Sequence, residues 1–190
     1  MRNRAPGLGR WAHGLALWAI EIAAIACCLT LSATTVVPMT VEELTQGATH
    51  VVEGQALRTW SAWNSQHTLI YTYSSFAVSR TLKGTAPVVV VVKQPGGSAD
   101  GYTQTVSGVH QLQAGEKALL FLRPSVASDG TLVIVGLMQG QFRIYQAGTE
   151  TLASNGITMA RQYDHGMVES SGGSSLRLNE VEARVRRSVQ

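Results

Sequence analysis

Short apolar runs bounded by turn residues constrain the fold of this chain most strongly. Residues 88–92 are five consecutive valines preceded by Pro87, and residues 118–122 read ALLFL shortly before Pro124. Runs of this length, apolar at every position, are typical of strands buried on both faces. We therefore expect both runs to form central strands that are covered on both sides.

Other segments have the alternating pattern of half-buried strands. Residues 69–82 place one set of side chains on a single face, namely Ile70, Thr72, Ser74, Phe76 and Val78. Gly54 interrupts residues 49–60 and predicts a bulge or a bend there. Residues 64–67 predict a turn, and residues 142–145 predict an edge strand. The seven short strands expected in all predict an all-β barrel or sandwich.

Two helices are expected at the ends of this β domain. Thr40 and Glu43 have the spacing of a capping box and predict a short helix that ends near Gly47. Asn179 and Glu182 repeat the spacing and predict an amphipathic C-terminal helix over residues 176–190. Its apolar side chains recur at helical spacing, at Leu178, Val181 and Val185. We expect this helix to dock on the barrel or to contact a partner.

The N-terminus has the order of a secretory signal peptide. A basic region with Arg2, Arg4 and Arg10 precedes the largely apolar residues 11–31, and small residues follow at positions 32 and 33. We expect cleavage after Ala33. Two alternatives remain: a retained membrane anchor, although Glu21 interrupts the apolar run, and lipidation at Cys27.

Export has consequences for composition. The chain has two cysteines, Cys27 and Cys28, and both lie in the leader, so a chain cleaved after Ala33 has no thiol for disulfides or metal binding. The leader also carries three arginines and one glutamate. Its removal leaves 12 basic and 11 acidic residues from the original 15 and 12. This near-zero net charge argues against nucleic acid as a ligand.

The sequence therefore divides into four parts. Residues 1–33 are the expected signal peptide, residues 34–146 the β domain, residues 147–175 a linker rich in Gly, Ser and Thr, and residues 176–190 the C-terminal helix. We expect a periplasmic or extracellular location. The membrane would be contacted only through the signal segment, if it stays uncleaved.

Four stretches of the chain carry a resemblance. They are TTVVP with TVEEL (34–38 and 40–44), ATHVVEG (48–54), IYT through LKG (70–84), and QAGEKALLFL (113–122). Together they resemble a group of uncharacterised exported bacterial proteins. More distantly, residues 48–135 resemble the netrin-like domain of tissue inhibitors of metalloproteinases. That resemblance implies an OB-like Greek-key barrel of short antiparallel strands, flanked here by the two helices.

The same resemblance bears on activity. The inhibitors chelate the zinc of a protease through an N-terminal cysteine that disulfides hold in place. The expected mature chain begins at Thr34 and has no cysteine. No residue carries over as the chelating group, so metalloprotease inhibition is implied by fold analogy alone.

Catalytic and metal-binding patterns are missing from the sequence. No two of the four histidines outside the leader are one, three or four residues apart; they are His50, His67, His110 and His165. Asp100 and Asp129 each precede glycine and are explained as turn residues. No G-x-S-x-G elbow occurs. We therefore expect no catalytic residue, no metal and no cofactor.

Four aromatic residues are the candidate binding residues. Trp60 and Trp63 face Tyr71 and Tyr73 across a predicted turn. They would form a recognition patch or would pack across the strands to stabilise the hairpin. The function expected is a non-enzymatic exported domain that binds a protein or a glycan. A secreted metalloprotease inhibitor and an unrecognised hydrolytic enzyme are the alternatives.

The processing of the leader is testable. We expect the exported protein to begin at Thr34, because the small residues at positions 32 and 33 follow the apolar run. N-terminal sequencing and intact-mass measurement of the exported protein check this. An intact Met1, or a diacylglycerol mass on Cys27, would contradict it.

Overall fold

A computed structural model describes residues 38–156 and 175–190 of the chain. The leader with Cys27 and Cys28 lies outside the described residues, as do residues 157–174 of the expected linker. The helices are α1 (Val41–Gly47) and α2 (Leu178–Val189). The strands are β1 (His50–Trp63), β2 (Ile70–Lys83), β3 (Val89–Pro95), β4 (Gly97–Ala99), β5 (Tyr102–Gln104), β6 (Lys117–Pro124), β7 (Leu132–Ile134), β8 (Gln141–Ala147), β9 (Glu150–Ser154) and β10 (Ser175–Arg177), with a 3₁₀ turn at Leu137–Gly140.

Five of the strands close into a barrel. Their order is β1-β2-β3-β7-β6, and β6 pairs back with β1. Four of the strand contacts are antiparallel, whereas β3 and β7 run parallel. The expectation of a β-barrel is confirmed, but the expectation of only antiparallel strands is wrong. An odd number of strands cannot alternate in direction around a closed ring, so one contact must be parallel.

Strand β1 is long and bulged. It pairs with β2 from Val51 to Trp63, and with β6 from His50 to Gln55. One of its register shifts falls at Gly54, where the bulge was predicted. A Cβ built on Gly54 would lie 1.9 Å from the Ala77 carbonyl oxygen, so no other residue fits without a backbone shift. The bulges bend β1 so that it reaches two neighbours.

Alternate residues of the barrel strands fill its interior. Ile70, Thr72, Ser74 and Phe76 are all buried on one face of β2, as the sequence predicted. The interior cluster comprises Val52, Ala56, Phe76, Val90, Val92, Leu112, Ala118, Leu120, Leu122 and Ile134.

The two apolar runs have different surroundings. Strand β6 is buried on both faces, as expected: Leu120 points into the barrel, and Phe121 points into a second core outside it. Strand β3 is covered on one face only, so that prediction is wrong. On the other face Val89 is 45% exposed and Val91 is only partly buried. The two described helices pack over β6 rather than over the start of β3. Because the two runs are equally apolar, their sequences could not predict this difference.

The second core lies between the helices and the barrel. Val41 and Leu44 of α1 and Val181 and Val185 of α2 are fully buried there. The predicted capping box of α1 is present: Thr40 Oγ1 accepts a bond from the Glu43 amide at 3.2 Å, and the Glu43 carboxylate accepts one from the Thr40 amide at 2.7 Å. The C-terminal helix thus packs on the domain, one of its two expected roles.

Charged groups surround the buried stripe of α2. Arg184 contacts Glu42 of α1 at 2.6 Å, and Arg80 of β2 contacts Glu182. The capping box expected at Asn179 is wrong. The helix begins at Leu178 with Arg177 as N-cap and no side-chain cap, because β10 runs directly into the first turn.

Strands β8, β9 and β10 extend the sheet beyond β6. The prediction of an edge strand at residues 142–145 is wrong, because β8 pairs with β6 on one side and with β9 on the other. Strand β9 lies within residues 147–175, the range expected to be a linker, so this part of the expected linker is a strand. Its Thr- and Ser-rich sequence pairs with β8 across the turn at Gly148. Neither described helix is long and apolar enough to cross a membrane.

The packing of α2 can be tested by mutation. Val181→Ala removes two methyl groups from a fully buried site and should lower the free energy of unfolding by about 2 kcal/mol. Val189→Ala on the same helix, where the side chain is 47% exposed, is the matched control and should change it by less than about 0.5 kcal/mol. Urea denaturation measures both. Equal small effects would show that the helix does not contribute to the core.

Candidate functional site

The far end of the β1–β2 hairpin presents aromatic side chains on the outside of the barrel. Trp60 of β1 pairs with Tyr73 of β2, and Tyr73 pairs with Lys93 of β3. Paired residues project from the same face of a sheet, so these three form a row across three strands. Arg58 and Tyr71, two positions from Trp60 and Tyr73 on their strands, lie on the same face. We call this surface, together with Asp129 beside it, the barrel face.

Cations and rings contact each other throughout the barrel face. The Trp60 and Tyr73 rings are stacked, with centroids 5.7 Å apart and planes 15° from parallel. The Arg58 guanidinium lies 4.8 Å from the Trp60 centroid. Lys93 Nζ lies 4.4 Å from the Tyr71 centroid and 5.7 Å from that of Tyr73. Each geometry is within cation–π range, so the charges hold the rings in place.

Asp129, in the loop between β6 and β7, holds Lys93 from the other side. Its Oδ2 accepts a bond from Lys93 Nζ at 2.9 Å, and its Oδ1 accepts bonds from the Thr131 amide and hydroxyl at 3.1 and 2.5 Å. The Thr131 hydroxyl and then Lys93 hold the pKa of Asp129 well below its usual range. Burial opposes protonation of Lys93, but Asp129 and the two tyrosines outweigh it and raise the pKa of Lys93.

Trp63 does not belong to the barrel face. It pairs with Ile70, whose side chain is buried on the opposite face of the hairpin. Its ring stacks on His67 with centroids 4.7 Å apart and meets the edge of Tyr102 at 5.7 Å. The four aromatic residues singled out from the sequence are therefore divided: Trp60, Tyr71 and Tyr73 lie together, and Trp63 lies apart. Trp60 and Trp63 are three residues apart on one strand, and an odd separation places two side chains on opposite faces. The sequence could have predicted the division from this spacing.

Sequence reasoning missed Lys93 and Asp129. Lys93 follows the valine run and attracts no attention as a lone charge, and Asp129 was fully explained as a turn residue before Gly130. Their meeting depends on the β6–β7 loop passing beside β3, which no local pattern shows. Asp129 does lie in a turn, as predicted, but its carboxylate also contacts the barrel face.

A groove lined by several polar residues lies beside β8. A cavity of about 520 Å³ there is lined in part by His110, Gln141, Arg143, Tyr145 and Ser154. Glu116 stands 3.5 Å from His110 Nε2. Both oxygens of this carboxylate accept other bonds, from the Gln113 amide and from Gln141 Nε2. Glu116 thus positions the loop before β6 and the groove wall.

The remaining titratable groups considered in the sequence are dispersed. Glu53 accepts a bond from Arg80 at 2.5 Å, and Asp100 lies in the β4–β5 turn at a φ of 51°. His165 lies outside the described residues. Across residues 38–156 and 175–190, no three His, Cys, Asp or Glu side chains come close enough to hold a metal ion.

No protein-family model matches the chain, and no curated protein is significantly similar to it.

The Lys93–Asp129 contact makes a pH prediction. A carboxyl group whose pKa is lowered on folding stabilises the fold above its unfolded pKa of about 3.9, and this stabilisation is lost as the pH falls below that value. The wild type should therefore be more stable than Asp129→Asn at pH 7, and the difference should shrink between pH 5 and pH 3. Urea denaturation across this range measures it. A difference that stays constant with pH would contradict the prediction.

Proposed function

We propose that this protein is an exported, non-enzymatic binding domain whose ligand surface is the barrel face. The observation that carries the proposal is the position of that surface on the barrel. The strand order and the parallel contact between the third and fifth barrel strands are those of an OB-type barrel, which supports the finer fold assignment implied by the resemblance. OB-type barrels bind ligands on the outside of their second and third strands, and through the loops between strands one and two and between strands four and five.

The barrel face matches that location residue by residue. Tyr71 and Tyr73 lie on the second barrel strand and Lys93 on the third. Asp129 lies in the loop between the fourth and fifth barrel strands, β6 and β7. Trp60 extends the surface onto the first strand and is 38% exposed.

The composition of the barrel face also favours binding. Aromatic rings provide a large contact area at a low cost in side-chain entropy. Contacts with Arg58 and Lys93 order these rings before any ligand arrives, which reduces the entropy lost on binding. Cross-strand packing accounts for the Trp60–Tyr73 stack, but it does not account for the cations that contact the rings.

The two alternative functions have weaker support. A hydrolytic enzyme would use the groove beside β8, where His110 is the candidate base, but Glu116 beside it is bonded into the loop and wall. A metalloprotease inhibitor would act through the segment that begins at Thr34, and the barrel topology supports that function only by analogy. We therefore place the function on the barrel face.

Partner capture tests the proposal. The protein, in the form that a secreting host makes from the full chain, is immobilised and exposed to envelope and culture-supernatant fractions. Wild type is compared with Trp60→Ala/Tyr73→Ala and with Tyr145→Ala, a matched loss of an aromatic ring in the groove. We expect the double variant to lose the retained partner at least tenfold and the control to keep it, with folding of each checked by circular dichroism.

Two results would contradict the proposal. Equal retention by the double variant would remove the barrel face as the ligand surface. Loss in Tyr145→Ala with retention in the double variant would move binding to the groove and would favour the enzyme alternative.

A further inference from the structure

The row of the barrel face continues around the barrel to a second arginine. Lys93 pairs in parallel with Val133 of β7, and Val133 pairs with Arg123 of β6. The row therefore runs from Trp60 on β1 to Arg123 and crosses all five barrel strands. Neighbouring strands are about 4.8 Å apart, so its ends are separated by about 19 Å along the curved surface.

Positive charges outnumber negative charges on the barrel face when the row is extended to Arg123. This surface carries three cations, Arg58, Lys93 and Arg123, and one carboxylate, Asp129, which is already bonded to Lys93. Arg58 and Arg123 are exposed, and neither forms an ion pair within the described part of the chain. Four other arginines are paired with glutamates, namely Arg80, Arg177, Arg184 and Arg186, whereas Arg143 and Arg187 form no ion pair within the described residues.

We propose that the barrel face binds an acidic polysaccharide, with carboxylates of uronic acid units held by the guanidinium groups of Arg58 and Arg123. This inference rests on the proposed function and names the ligand class of the same surface. A guanidinium group binds a carboxylate through two parallel hydrogen bonds, which makes arginine the side chain suited to that recognition. The length of the row accommodates several sugar units in an extended chain.

The rings of the barrel face favour a saccharide over a nucleic acid. Single-stranded nucleic acids stack their bases on free aromatic faces. Here Arg58 lies over Trp60 and Lys93 lies over Tyr71, so these ring faces already have partners. Tyr71 and Tyr73 also carry phenol hydroxyls.

Hydrogen-bonding groups on the surface also favour a saccharide. The hydroxyls of Tyr71 and Tyr73 and the carboxylate of Asp129 are suited to the hydroxyl groups of a sugar, which both donate and accept. A sugar chain with carboxylates satisfies the cations, the hydroxyls and Asp129 together.

Calorimetric titration of the processed protein tests the ligand class. The probes are tetragalacturonate, pectate and alginate, with cellotetraose as the uncharged counterpart and decathymidylate as the nucleic acid. We expect binding to at least one of the acidic saccharides that weakens as salt is raised. Arg58→Gln/Arg123→Gln should weaken it at least tenfold, whereas Arg143→Gln, which removes an exposed arginine in the groove, should leave it unchanged.

Each other result overturns the saccharide proposal. Cellotetraose binding as tightly as tetragalacturonate would remove the role of the carboxylates, and tighter binding of decathymidylate would make the surface a nucleic-acid site. Binding that survives the double arginine change would place the ligand elsewhere. The absence of binding to all three acidic saccharides would refute this ligand class. If partner capture still depended on Trp60 and Tyr73, the proposed binding function would stand, and only the acidic saccharide would be excluded as its ligand.

Discussion

The pairing of β1 with two neighbours is the constraint on which the rest of the structure depends. Its first half, from His50 to Gln55, bonds to β6 and to β2 at once and so closes the barrel. Gly54 permits this, since a side chain there would collide with the backbone of β2. The second half, from Arg58 to Trp63, pairs with β2 alone. That half is where Trp60 is brought against Tyr73.

Uneven coverage of the barrel decides which surface is available for a ligand. The two helices cover one side, where Leu119 and Phe121 of β6 face Val181 and Val185 of α2. The outer surface of β2 and β3 around Tyr73 and Lys93 lies outside that core, and it carries the rings and cations together with the half-exposed Val89. The helices thus stabilise the fold on one side, and the barrel face, our proposed ligand surface, lies outside that core.

The sequence predicted the features that local patterns determine. The capping box of Thr40 and Glu43, the bulge at Gly54 and the two-sided burial of β6 each follow from a few adjacent residues. Features that depend on register or on distant packing were not predictable. Lys93 meets Asp129 only because a loop 36 residues further along the chain passes beside β3. Val89 at the start of β3 is exposed because the two described helices pack over β6 instead. The strand at Glu150–Ser154 was missed because its composition is also that of a linker.

Hydroxyl-radical footprinting of the protein, with and without its bound partner, tests most directly that the barrel face is the ligand surface. Oxidation of each aromatic side chain reports its solvent exposure, and the chain provides rings on the barrel face and, at Tyr145, in the groove. The account predicts that the partner protects Trp60 and Tyr73 while Tyr145 in the groove keeps its rate of oxidation. Protection of Tyr145 with Trp60 and Tyr73 unchanged would contradict it.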